Sequence, residues 1–197
     1  MHKSTGRSYL LLLSCVLLMS LILPCCAPAA ETKSQISEKL KKIEIKGSKK
    51  FKNQVTKALE LLKEKTPEAY QIVTEYVRRI EQGKHSGMWA YKKPPTYEMA
   101  DETTFYSVTW CAGSIAHDSL HSKFYHDYKK EHSGSVPDKV WVGEDAEKKC
   151  IRHQLEVLKK IGAPKHEIDH CKKQKGTHHD VNKDGKYDWK DYKKRHW

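Results

Sequence analysis

Apolar and polar positions follow two different periods along this chain. Ile43-Glu44-Ile45 alternates and stops at Gly47-Ser48, the pattern of a short strand. Ser48 is then placed to cap a helix running to about Lys65, because Phe51, Val55, Leu59 and Leu62 recur every three or four residues. Thr66-Pro67-Glu68 restarts a helix, with threonine as the cap and proline at the first helical position, where a missing N–H costs nothing. Its apolar stripe is Tyr70, Val73, Val77 and Ile80. From Gly83 to Met99 loop or short strands are expected, since Pro94-Pro95 forbids helix.

A long helix is predicted from about Glu102 to Tyr128. It is apolar almost all round between Tyr106 and Ala116, so burial on several sides is expected. Ser133 to Gly143 reads as a loop carrying a strand at Val140-Trp141-Val142. A charged amphipathic helix follows from Glu144 to Ile161, then a Gly-Ala-Pro turn at 162–164, then a shorter helix from Lys165 to Lys173. The expected fold class is mainly α with minor β (α+β): a helical domain over 31–173 and a separate segment over 174–197.

The first 30 residues carry a different message. His2, Lys3 and Arg7 make a basic start, and Tyr9 to Leu23 is apolar apart from two serines. A small-residue region, Pro24-Cys25-Cys26-Ala27-Pro28-Ala29-Ala30, comes next. This is the pattern of an export signal. The apolar run is shorter than the roughly 20 residues that span a bilayer. Ala27-Pro28-Ala29 suits ordinary cleavage, while Leu23-Pro24-Cys25-Cys26 resembles a bacterial lipobox with Cys26 as the lipidated residue. Either route makes the protein exported: secreted, periplasmic or attached to the cell envelope, with no transmembrane span once the signal is gone.

Charge and cysteine content sharpen this expectation. The chain carries a formal net charge of +12, and removal of residues 1–30 takes away only Lys3 and Arg7. That charge suits a solvated, soluble surface first, with anionic envelope polymers as the alternative partners it could attract. The lysines are spread along helix-like stretches and form no arginine-rich reading face, which argues against nucleic acid. Outside the signal region only Cys111, Cys150 and Cys171 remain, enough for one disulfide and one spare thiol. Cys150–Cys171 is the expected pair, because the turn at 162–164 folds their two segments back to back.

Residues 180–191 read Asp-Val-Asn-Lys-Asp-Gly-Lys-Tyr-Asp-Trp-Lys-Asp. This resembles the EF-hand calcium loop position by position. The resemblance implies side-chain oxygen ligands from Asp180, Asn182, Asp184, Asp188 and Asp191, a sharp turn at Gly185, and the backbone carbonyl of Lys186. Asp191 stands where the family usually has Glu, so affinity in the extracellular range of roughly 0.1–1 mM is expected. Such an ion would be structural.

Two His-x-x-x-His spacings remain. On a helix, histidines at i and i+4 point the same way, as two ligands of one metal must. His166-Glu167-Ile168-Asp169-His170 matches the literal His-Glu-x-x-His motif of zincins, but its neighbours Lys165, Asp169, Lys172 and Lys173 describe an exposed, charged helix start. His117-Asp118-Ser119-Leu120-His121 departs from the motif by one methylene, yet lies in an uncharged, mostly apolar helix. A third ligand is available 26 residues beyond His121, where Glu147 lines up with Ile151, Gln154 and Leu158 on the inward face of the next helix. Together, residues 102–161 resemble the gluzincin class of metallopeptidases. The resemblance implies zinc held by His117, His121 and Glu147, with Glu144 as the alternative third ligand and Asp118 as the catalytic base. It implies a hydrolase acting on peptides or cell-wall peptides. The competing reading is a non-catalytic, calcium-stabilised envelope-binding module whose buried histidines are satisfied without a metal.

Overall fold

The computed structural model describes residues 43–174. The expected export signal and the calcium-loop resemblance both fall outside the described residues. The described region is mainly α with minor β, as the periodicity requires.

Strand β1 (Glu44–Lys46) leads into helix α1 (Lys49–Lys65). The Ser48 hydroxyl accepts a hydrogen bond from the Phe51 N–H at 3.1 Å, the expected N-cap. Phe51, Val55, Leu59 and Leu62 are all completely buried. Helix α2 (Pro67–Tyr76) follows with proline at its start. Thr66 does not cap it: its hydroxyl donates backward to the Leu62 carbonyl at 3.1 Å. The stripe expected to end at Ile80 also divides. Val77 is already extended, and Ile80 lies in strand β2 (Arg79–Gly83). Both side chains still reach the core, which is why a helical period fitted them.

Strands β3 (Gly87–Trp89) and β4 (Thr96–Ala100) complete one four-stranded sheet of order β1-β2-β4-β3. β1 and β4 both pair parallel with β2, and β3 pairs antiparallel with β4 at an edge. Tyr97 and Met99 on β4 and Ile80 on β2 are buried in the common core.

The long helix predicted from Glu102 is two helices, α3 (Asp101–Tyr106) and α4 (Val108–Glu131). Ser107 breaks it by taking an extended conformation and capping α4, its hydroxyl accepting from the Trp110 N–H at 2.8 Å. Helix α4 is the hub of the fold, packed against α1, α2 and the later helix α6. Cys111, Ala112, Ile115 and Ala116 are completely buried there, in line with its apolar girth.

Val140-Trp141-Val142 is not a strand. It belongs to a short helical turn, α5 (Asp138–Trp141), closed by hydrogen bonds from the Val142 and Gly143 N–H groups to the Asp138 carbonyl. Three alternating residues are too few to tell the two periods apart. A Cβ at Gly143 would stand 2.7 Å from the Lys139 Cα, so only glycine lets α6 (Glu144–Lys160) start directly from this turn. After the turn at Gly162, helix α7 (Lys165–Lys173) folds back onto α6. Among the described residues, no helix is long and apolar enough to cross a membrane.

Candidate metal centre

Helix α4 carries His117 and His121 one turn apart, and α6 brings Glu147 against them. The two Nε2 atoms stand 3.1 Å apart. The Glu147 carboxylate spans both rings, with Oε1 at 3.5 Å from His117 Nε2 and Oε2 at 3.1 Å from His121 Nε2. Glu147 and His121 are buried, and only a small part of His117 meets solvent.

Close packing of α4 and α6 makes this approach possible. Gly113, one turn before His117, has no side chain where a Cβ would meet Leu158 at 2.8 Å. The turn at Gly143 fixes where α6 begins, and Glu147 lies within its first turn, where a negative charge suits the helix dipole.

The arrangement also fixes a tautomer. His121 Nδ1 donates to the Trp141 carbonyl oxygen, an acceptor only, so the neutral ring carries its lone pair on Nε2, facing His117 and Glu147. The His121 Nε2 lone pair, the His117 Nε2 and the Glu147 carboxylate thus converge toward one point. Such a group needs a proton or a cation between its members. Burial opposes charge on His117, but the Glu147 carboxylate outweighs it and raises that ring to about 9. His121 moves in the same direction, again against burial and through Glu147.

Two further groups belong to this cluster. One is Cys150, a turn beyond Glu147 on the same face of α6. Its Sγ and one nitrogen of each of His117 and His121 all lie within 4.8 Å of one another. Burial pushes the thiol well above its ordinary range. The other is Asp118, half-buried at the cleft border beside the Tyr97 hydroxyl of β4. Burial raises its carboxyl, and the two His rings pull it back down.

The cluster opens into a cleft of about 420 Å³. One wall is the β2–β3 connection with edge strand β3, from Lys84 to Met88. Trp110 and Ser114 of α4 and Gln154 of α6 line other parts, and His117, Asp118, His121 and Glu147 all border the space.

The structure therefore brings together His117, Asp118, His121 and Glu147, as the spacing suggested. The alternative acid, Glu144, is exposed and ion-paired with Lys148. The expected Cys150–Cys171 bridge is not formed. All three described cysteines are buried free thiols, and Cys171 instead points its thiol at the Ile151 carbonyl. Folding α7 back onto α6 does bring the two segments together, but it leaves Cys150 facing the imidazoles. The signal for Cys150 was present in the sequence as the Glu147-x-x-Cys150 spacing, which puts both residues on one helix face.

The second pair is exposed, with His166 edge-on to Tyr106 and His170 edge-on to Trp110. Glu167 between them is buried and accepts from the Thr109 hydroxyl at 2.7 Å, so it ties α7 to the start of α4. The calcium-ligand set Asp180, Asn182, Asp184, Lys186, Asp188 and Asp191 lies outside the described residues.

Comparison with known proteins returns no matching family model, no matching curated protein and no matching solved structure. The fold and site by themselves define a mainly helical α+β chain with a buried histidine–cysteine group that can hold a metal ion.

Proposed function

We propose that this chain is an exported, metal-dependent hydrolase of zincin type, acting on peptides or cell-wall peptides. One observation carries the reading: two imidazole nitrogens and a carboxylate meet within 3.1–3.5 Å at the border of an open cleft, with a second, half-buried carboxyl beside them. This donor set fits zinc, which takes nitrogen and oxygen ligands from three protein groups at catalytic sites. His117, His121 and Glu147 would hold the ion. When bound, it lowers the pKa of a water and polarises a carbonyl.

The chain's own residues supply the rest. Asp118, whose basicity burial raises, is suited to take a proton from a cleft water and return it to a leaving amine. Trp141 orients His121 through its backbone carbonyl. Tyr97 lies beside Asp118 at the cleft border, its hydroxyl interacting with that carboxyl. In the same reading, Asp180, Asn182, Asp184, Asp188 and Asp191, with the Lys186 carbonyl, hold a structural calcium ion, supported by their loop spacing alone.

The test is Asp118→Asn in purified mature protein, with peptide and muropeptide hydrolysis and zinc content measured together. Retained zinc with hydrolysis lost is the expected result. Retained zinc with hydrolysis unchanged would remove Asp118 from its role. Bound calcium without zinc or hydrolysis in either protein would leave the envelope-binding module.

A further inference from the structure

We propose that Cys150 is a fourth protein donor to the same ion, so that the resting centre is closed and selects a thiophilic, zinc-class metal over calcium, magnesium or manganese. This inference rests on the metal-site reading above and deepens it.

Geometry carries the proposal. Cys150 and Glu147 are three residues apart on α6 and face the His pair together. The Cys150 Sγ and a nitrogen from each ring lie within 4.8 Å of one another before any ion has drawn them in. Cys111 and Cys171 are directed elsewhere, the first at the Met99 sulfur and the second at the Ile151 carbonyl, each at 3.8 Å. Of the three described cysteines, Cys150 is the one turned toward the imidazole nitrogens, and it is completely buried. Among the described residues no disulfide competes for it.

Chemistry supplies the selectivity. Thiolate and imidazole suit zinc and its neighbours, while calcium, magnesium and manganese prefer oxygen. Two nitrogens, one carboxylate oxygen and one sulfur make the four-coordinate set of a closed site. On binding, the S–H proton leaves to solvent as the sulfur–metal bond forms, with no change of oxidation state. Water can reach the fourth position only while that bond is open. Hydrolysis therefore requires substrate or water to displace the Cys150 sulfur from the ion during turnover.

Cobalt(II) tests this without any substrate. Metal-free mature protein is titrated with cobalt, and bound cobalt is counted while the near-ultraviolet thiolate-to-cobalt charge-transfer band is recorded. One equivalent bound with the band present is expected in the wild type. The band should persist in Cys171→Ser and vanish in Cys150→Ser. Loss of this donor should weaken cobalt binding by at least the roughly 10–100-fold that even outer-shell partners supply. Cobalt bound by the wild type without the band would overturn the proposal and leave the three-ligand site standing. A band that survives Cys150→Ser would also overturn it. Failure to bind cobalt at all would overturn both readings. The wild-type spectrum is decisive even if a variant does not fold.

Discussion

Helix α4 must lie close enough to α6 for Glu147 to span two imidazoles, and Gly113 and Leu158 set that distance. Leu158 is completely buried, so Leu158→Ala should cost about 2–5 kcal/mol of stability. Gly113→Ala works in two opposite directions. Alanine in a helix interior is favoured over glycine by about 1 kcal/mol. The new methyl, however, would stand 2.8 Å from the Leu158 Cδ2, 3.1 Å from its Cγ and 3.4 Å from the Gln154 Cγ. Overpacking of that kind costs about 1–3 kcal/mol, so the net change should be a loss of about 0–2 kcal/mol. In the Leu158→Ala background the obstruction is gone, and Gly113→Ala should instead stabilise by up to about 1 kcal/mol. Denaturant unfolding of all four proteins, followed by far-ultraviolet circular dichroism, gives the coupling between the sites. A coupling of about 1–3 kcal/mol is expected. If Gly113→Ala shifts stability equally in both backgrounds, close α4–α6 contact at this level is not what glycine provides.

Two further outcomes follow from charge. In the metal-free protein His117 titrates at about 9, so at neutral pH it holds a proton that an incoming ion must expel. Apparent zinc affinity should therefore rise by at least roughly tenfold per pH unit between pH 6 and about 9, with one proton released from His117 in paired-buffer calorimetry and a second where Cys150 also binds. A flat profile would contradict this. Away from the site, partial burial works to raise Asp127, but hydrogen bonds from Lys123, Lys130 and Tyr76 outweigh it and lower the carboxyl to about 2. A depressed carboxylate contributes stability above its unfolded value of about 4, and that contribution is lost as pH falls toward about 2. Asp127→Asn should thus lower the midpoint of thermal unfolding at pH 7, by an amount matching at most about 1 kcal/mol for so exposed a group. At pH 2 the two proteins should unfold alike, and a pH-independent difference would refute the assignment.

Much of the fold was legible because its signals were local. Ser48 capped its helix, and Phe51, Val55, Leu59 and Leu62 marked the buried face. The amphipathic stretch beginning at Glu144 fell where it was expected. Errors arose where a tertiary partner decided the outcome. Ser107 has its hydroxyl in an apolar run, and only its capping of Trp110 shows that it divides one helix into two. Val77 and Ile80 kept a helical period while passing into a strand, because both structures bury them in the same core. At the candidate site, His117, His121 and Glu147 were legible from helical spacing. The turn at 162–164 suggests a Cys150–Cys171 bridge, although the register of Cys150 with Glu147 points at the histidines. The Trp141 carbonyl is a backbone atom, and no side-chain pattern marks it.

The central claim is that His117, His121 and Glu147 hold a transition metal. Elemental analysis of mature protein purified without chelator tests it most directly, with His121→Ala as the site variant and His166→Ala, from the exposed pair, as the control. About one equivalent of zinc in the wild type and in His166→Ala, and none in His121→Ala, is the predicted result. Folded wild-type protein that carries no transition metal and takes up none when zinc is added would contradict the account.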